Sequence, residues 1–160
     1  MTTIVLADLF LPAHADSIVS LLNEYAQDPM GGGAGLPAFV QANLIAELRK
    51  RQDAHVFIAM QDDVAVGMAI CFEGFSTFAC KPLLNVHDMI VSANYRGRGI
   101  SRRLLAKAEE TAINLGCCKL TLEVLEGNTV AQRVYRDCGF DAYELHPKMG
   151  KAMFWQKKLV

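Results

Sequence analysis

The chain lacks a charged leader followed by a long apolar stretch: it opens "MTTIVLADLF", and no run approaches the roughly 18 apolar residues that a bilayer span requires. A soluble, cytoplasmic protein is expected. It also lacks an excess of charge. The formal net charge is -1 over 160 residues, which excludes the broad basic face of a general nucleic-acid binder and leaves the arginines to act locally. Neither nucleic acid nor membrane is expected as a partner. Cysteine is present without pattern: Cys71, Cys80, Cys117, Cys118 and Cys138 are odd in number and show no CxxC spacing. His14, His55 and His146 fall in different elements, so neither a disulfide framework nor a metal set is expected, and the thiols read as reduced. Repeats, charge blocks and low-complexity tracts are missing too. The 52% hydrophobic content is ample for one core, and one domain over residues 1–160 is expected.

Periodicity supplies the elements. "TIVLADLF" reads as a first strand, and "PAHADSIVSLLNEYAQ" carries Ile18, Leu21, Leu22 and Tyr25 at helical spacing behind Pro12, which suits a first turn. The stretch "DPMGGGAGLP", Asp28 to Pro37, has four glycines whose backbone is costly to order, and it reads as a mobile loop. A second helix from Ala38 to Arg51 follows, with Val40, Leu44 and Leu48 on one stripe. "HVFIAMQ", the turn "DD" and "VAVGMAICFEGF" read as a hairpin, and "PLLNVHDMIV" as a further strand. From Ile100 the period becomes helical through Leu104, Leu105, Ala108, Ala112 and Leu115, and Gly116 supplies the stop. "CCKLTLEVL" reads as a strand and "GNTVAQRVYRDCGF" as a short helix capped by Asn128 or Thr129. "MFWQKKLV" reads as a closing strand. The order, β-α-α-β-β-β-α-β-α-β-β, implies an α/β three-layer arrangement around a mixed sheet.

"NYRGRGISRR", Asn94 to Arg103, sits between a strand and a helix and puts two glycines among four arginines. A helix that begins just after a strand aims its first amides, with the positive end of its dipole, away from the sheet, which makes an anion site. Gly97 and Gly99 allow close approach, and Arg96, Arg98, Arg102 and Arg103 supply charge. A phosphate loop of the GxxxxGK[ST] type is excluded, because Ile100 and Ser101 follow the last glycine and no lysine stands there. A dinucleotide turn is excluded because "GRGISR" has arginine at the third glycine.

"RGRGIS" resembles the R/Q-x-x-G-x-G/A signature of the GNAT superfamily of N-acetyltransferases, with Arg96 and Gly99 in place and Ser101 where Gly or Ala is usual. "LLNVHDMIV" looks like the fourth strand of that superfamily. "NTVAQRVYRDCGF" looks like its N-x-x-A-x-x-x-Y-x-x-x-G-F segment, with Asn128, Ala131, Tyr135, Gly139 and Phe140 in place. The resemblance covers about Ala54 to Leu159 and is greatest to diamine and polyamine acetyltransferases, where a glutamate commonly stands at the position of His87, before Asp88. It implies a three-layer GNAT-type acyl-CoA N-acyltransferase fold with a mixed, mostly antiparallel sheet flanked by helices. It implies acetyl-CoA as co-substrate, a small-molecule amine as acceptor, and a homodimer as a common assembly. By the same resemblance Gly97, Arg98, Gly99, Ile100, Ser101 and Arg102 hold the pyrophosphate with Arg96, and Met89, Ile90 and Val91 meet the pantetheine arm and thioester. Asn128 and Ala131 join them on the cofactor.

Acyl transfer needs a held donor, a neutral amine, a stabilised oxyanion and a proton for the leaving thiolate. A backbone amide near Ile90 is the expected oxyanion donor. Tyr135 is the expected general acid, since a phenol with a pKa of about 10 can protonate a thiolate. Two bases remain open: His87, and Glu123 on the next strand. Strand alternation puts His87 and Asp88 on opposite faces unless a bulge intervenes. Tyr25, Asp28 and Met30 to Leu36 could close over the acceptor, and Glu73, Phe75 and Phe78 could line its pocket. Two other readings stay open: an acyl-CoA-binding regulatory module without turnover, which has no use for Tyr135, and a protein or peptide N-acetyltransferase.

Overall fold

A computed structural model describes residues 1–159. The chain divides into two compact units, Met1–Leu122 and Glu123–Val160. The first holds β1 (Thr3–Leu6), α1 (Pro12–Gln27), α2 (Ala38–Arg49), β2 (Ala54–Gln61), β3 (Val64–Ser76), β4 (Lys81–Val91), α3 (Ile100–Asn114) and β5 (Leu120–Leu122); the second holds α4 (Thr129–Asp137). Among the described residues no helix is long and apolar enough to cross a membrane.

The five strands lie in chain order, β1-β2-β3-β4-β5. The first three pairings are antiparallel and the last is parallel. β2 and β3 are joined by Asp62 and Asp63 at φ 49° and 64°, and two successive positive φ values give a turn whose twist matches the strands it connects. The parallel β4/β5 pair needs a crossover, which α3 supplies. Alternation along β2 sends Val56 and Ile58 to a core shared with Ile18 and Leu21 of α1, Leu48 of α2, and Met68, Ile70 and Ile90. Phe57 and Ala59 are fully buried on the opposite face. There α3 buries Ile100, Leu104, Leu105, Ala108 and Ala112, one stripe at helical spacing. Helices on both faces of a mixed sheet make three layers.

Gly67 shows how closely α3 begins against the sheet. A Cβ there would stand 2.9 Å from the Ile90 carbonyl oxygen and 3.3 Å from Ile100 Cγ2.

Three expectations are corrected. The glycine-rich stretch is tied down rather than loose: it forms a short 3-10 turn at Pro29–Gly31, and Ala34 and Leu36 donate their amides to the Ala26 carbonyl and to Asn23 Oδ1 at 3.0 and 2.8 Å. The predicted nine-residue strand from Cys117 to Leu125 shrinks to three, because β5 finds partners only at Leu84, Asn85 and Val86. The closing strand is not formed among the described residues. Among the described residues there, a single bridge pairs Glu144 with Lys151, and Met153, Phe154 and Trp155 are exposed.

Candidate active site

β4 changes character half way along. Up to Val86 it is paired on both sides, to β3 and to β5. Beyond Val86 it continues to Val91 paired, among the described residues, with β3 alone, so its other edge leaves backbone groups of Met89 and Val91 open to an extended ligand, apart from the Val91 carbonyl, which Arg96 Nε takes. The change coincides with a bulge. Ile70 stands opposite Asp88 and Cys71 opposite Val86, which leaves His87 with no residue across from it in β3.

That bulge overturns the expected alternation. Asp88 lies across from Ile70, whose side chain belongs to the α1/α2 core. The His87 ring meets Phe72 edge-on at 5.5 Å between centroids, and Phe72 packs against the same core. Both residues therefore turn to the α1 side. Asp88 is half-buried, and burial pushes its carboxyl pKa above the ordinary 3.8, an effect that the positive field of His87 opposes. Tyr25, on the last turn of α1, shares the place: its phenol pKa is raised first by burial, then by the negative fields of Asp88 and Asp28.

The turn after β4 is shaped by two glycines. Gly97 and Gly99 have φ 77° and 74°, a left-handed conformation that side chains rarely adopt. A Cβ on either would meet nothing within 4 Å, so the space above this backbone is open. Gly99 is the N-cap of α3 and brings no side-chain cap. The first amides of the helix, from Ile100 onward, thus face that space with the helix dipole behind them. Open glycines, an uncapped helix start and an unpaired strand edge fit a pyrophosphate with an extended arm. Two arginines point elsewhere. Arg98 donates to the Asn94 carbonyl at 3.0 Å and lies over the Tyr95 ring. Arg96 donates from Nε to the Val91 carbonyl at 3.0 Å and from Nη2 to Asp28 Oδ2 at 2.9 Å.

Other predicted residues are distributed as follows. Asn128 caps α4, its Oδ1 accepting the Ala131 amide at 3.1 Å. Tyr135 lies on α4, half-buried, with its ring 6.1 Å from that of Phe140. Glu123 is exposed and sits one residue past β5, because the strand ends early. Glu73 is taken by His55, whose Nε2 lies 2.7 Å from Glu73 Oε1, and both face the α3 side. Phe75 and Phe78 are exposed. A shallow cavity of about 330 Å³ along α1, bounded by Asp16, Ser20, Glu24, Ala65 and Ser92, contains none of the predicted site residues. The sequence reading missed Asp88 beside Tyr25, and also Glu24, which accepts from Ser92 Oγ at 2.7 Å and from the Ala93 amide at 3.1 Å. No residue spacing fixes the position of a bulge, so alternation alone put Asp88 on the face opposite His87.

A sequence model of the acetyltransferase (GNAT) family matches residues 18–140. The chain is 28% identical over 105 residues to an aminoglycoside N(6')-acetyltransferase type 1 of Salmonella typhimurium, covering 64% of this chain and 68% of that protein. It is 32% identical over 79 residues to the thialysine N-epsilon-acetyltransferase of Bos taurus, covering 49% of this chain and 46% of that protein. The solved structure of AAC(6')-Iy in complex with the bisubstrate analog CoA-S-monomethyl-acetylneamine matches with a TM-score of 0.77 at 22% identity, covering 99% of each chain. At that identity the likeness shows the fold, which is the three-layer arrangement expected from the sequence.

Proposed function

Because this chain belongs to the acetyltransferase (GNAT) family, and is an acetyl-CoA-dependent N-acetyltransferase, we propose that its acceptor is the primary amine of a small cationic molecule. The observation that carries this reading is the bulge at His87, which turns a half-buried carboxylate and an exposed imidazole to the α1 side of β4, where the Asp88 charge reaches Tyr25. A carboxylate held partly out of water favours an ammonium over a neutral group. The names of the relatives agree in kind, since one acts on aminoglycosides and another on thialysine.

Acetyl-CoA supplies the thioester whose carbonyl carbon the amine attacks. The amides of Gly97 to Arg102 hold its pyrophosphate, and the free edge of Met89, Ile90 and Val91 pairs with the pantetheine arm; an amide near Ile90 donates to the carbonyl oxygen as negative charge develops there. The His87–Asp88 pair binds the ammonium and takes its proton, so that the attacking nitrogen is neutral. The raised carboxyl pKa of Asp88 brings its proton affinity closer to that of an amine, which a base needs. Tyr135 gives the departing thiolate a proton, and Asn128 and Ala131 serve at the opening of its helix.

Tyr135→Phe tests the last assignment. Turnover should fall by about 100-fold with acetyl-CoA affinity unchanged, read by steady-state kinetics and calorimetry. Unchanged turnover would remove Tyr135 as the acid.

A further inference from the structure

Two carboxylates at the C-terminal end of α1 grip the backbone that leads into the donor turn. Glu24 accepts from Ser92 Oγ with one oxygen and from the Ala93 amide with the other. One turn later, Asp28 accepts from Arg96 through Oδ2 at 2.9 Å, while its Oδ1 accepts the Met30 amide, also at 2.9 Å. The Asp28 carbonyl accepts the amides of Gly31 and Gly33 at 2.8 and 3.1 Å. A single residue thus joins the glycine-rich loop to the segment after β4. The loop in turn lies directly on Tyr25: a Cβ at Gly31 would stand 1.9 Å from the Tyr25 carbonyl oxygen and 3.2 Å from its ring. Tyr25 is the residue that shares its surroundings with Asp88.

The arginine's geometry decides its part. Nε and Nη2 are both committed, to the Val91 carbonyl and to Asp28, and such a fork is directional and pre-organised. Swinging the guanidinium out to meet a phosphate with these two nitrogens would break both bonds and release the loop, whereas Nη1 keeps its two N–H groups outside the fork. Meanwhile the amides and open space at Gly97 and Gly99 suffice for an anion without it.

We propose that Arg96 is a positioning residue rather than a phosphate ligand. With Asp28 and Glu24 it forms a clasp that fixes Tyr25 and residues 30–36 as one wall of the acceptor subsite. Because the clasp closes on the segment immediately before Gly97, seating the donor on that turn also firms the acceptor wall, and the two sites are coupled. The coupling rests on the acetyl-transfer reading above, whereas the clasp itself does not.

The test uses the full chain, with CoA as the probe and two readouts. In the wild type, CoA should slow hydrogen exchange at the amides of Met30, Gly31 and Gly33. In Arg96→Met and in Asp28→Asn that response should vanish, while CoA affinity changes by less than about threefold. For the amine that the wild type acetylates, KM should rise about fivefold in either variant with kcat within about twofold. The double variant should be no worse than either single one, and Asp28→Glu, which keeps the carboxylate, should regain most of the loss. A tenfold loss of CoA affinity in Arg96→Met alone would make the arginine a phosphate ligand and overturn the proposal, as would loop amides in the wild type that ignore CoA. A wild type that acetylates no amine would defeat the acetyl-transfer reading, and the exchange data would still decide the clasp.

Discussion

The two ends of the site are made of different material. The proposed donor end, from Met89 to Arg102, is backbone: a partly open strand edge, two left-handed glycines and the uncapped start of α3. The proposed acceptor end is side chains: Tyr25, His87 and Asp88, the last two turned to one side by one extra residue in β4, beside the Asp28–Arg96 pair. Each end has its glycines, and they serve opposite purposes. At Gly99 the backbone twists to φ 74° and the space beyond stays empty. Gly31 has no such twist but is packed so tightly on Tyr25 that no side chain fits. The open space over Gly99 leaves room for a ligand, whereas the crowding over Gly31 is a contact the fold needs.

Substitutions at the two ends should therefore separate, with acceptor constants read at saturating acetyl-CoA so that the modest coupling through the clasp does not mix them. The largest effect is expected for Asp88→Asn, which should lower kcat by about 100-fold and leave CoA affinity untouched. A loss of CoA binding instead would erase the distinction between the ends. Gly99→Val should do the reverse: a β-branched residue in the left-handed region costs about 1–2 kcal/mol and covers the open amides, so CoA should bind at least about tenfold more weakly in calorimetry while the amine KM stays put. Smaller in activity is Gly31→Ala, which should destabilise the chain by about 1–3 kcal/mol, visible as a fall in Tm of several degrees, and raise the amine KM without altering CoA affinity. A Gly31→Ala variant of full stability would show that the loop lifts off Tyr25 at no cost.

The smallest effect is in pH. Burial raises the Asp88 carboxyl pKa in the folded chain, so the folded chain holds that proton more tightly than the unfolded one. Stability from this group is greatest below the ordinary value of 3.8 and declines as pH rises through the folded value. Asp88→Asn should remove that decline, making the variant slightly more stable than the parent at neutral pH in denaturant titrations. Asp28 has the opposite sign. Its carboxyl is held low by the Met30 amide and then by Arg96, so its contribution is present above the ordinary carboxylate range and lost on acidification.

The same division explains what the sequence disclosed. Glycines at forced conformations, a helix start and the helix of Asn128 and Tyr135 leave local marks, so the glycine turn after β4 and the element order through α4 could be read from residue spacing, and the motifs in those segments carried the resemblance to the family. The acceptor end leaves few marks. Alternation predicts opposite faces for His87 and Asp88, and only the register of β3 against β4 shows otherwise. Arg96 and Asp28 lie 68 positions apart, and their pairing is a tertiary event. The C-terminal apolar stretch failed as a strand because apolar content alone does not supply a partner to pair with.

The most direct measurement is acetyl-product formation by mass spectrometry, with purified protein and acetyl-CoA offered diamines, polyamines, amino acids, aminoglycosides and a short peptide. A small cationic amine should emerge as the preferred acceptor, and its acetylation should collapse in Asp88→Asn. Preference for the peptide, or acetyl-CoA bound with no amine acetylated, would contradict the account.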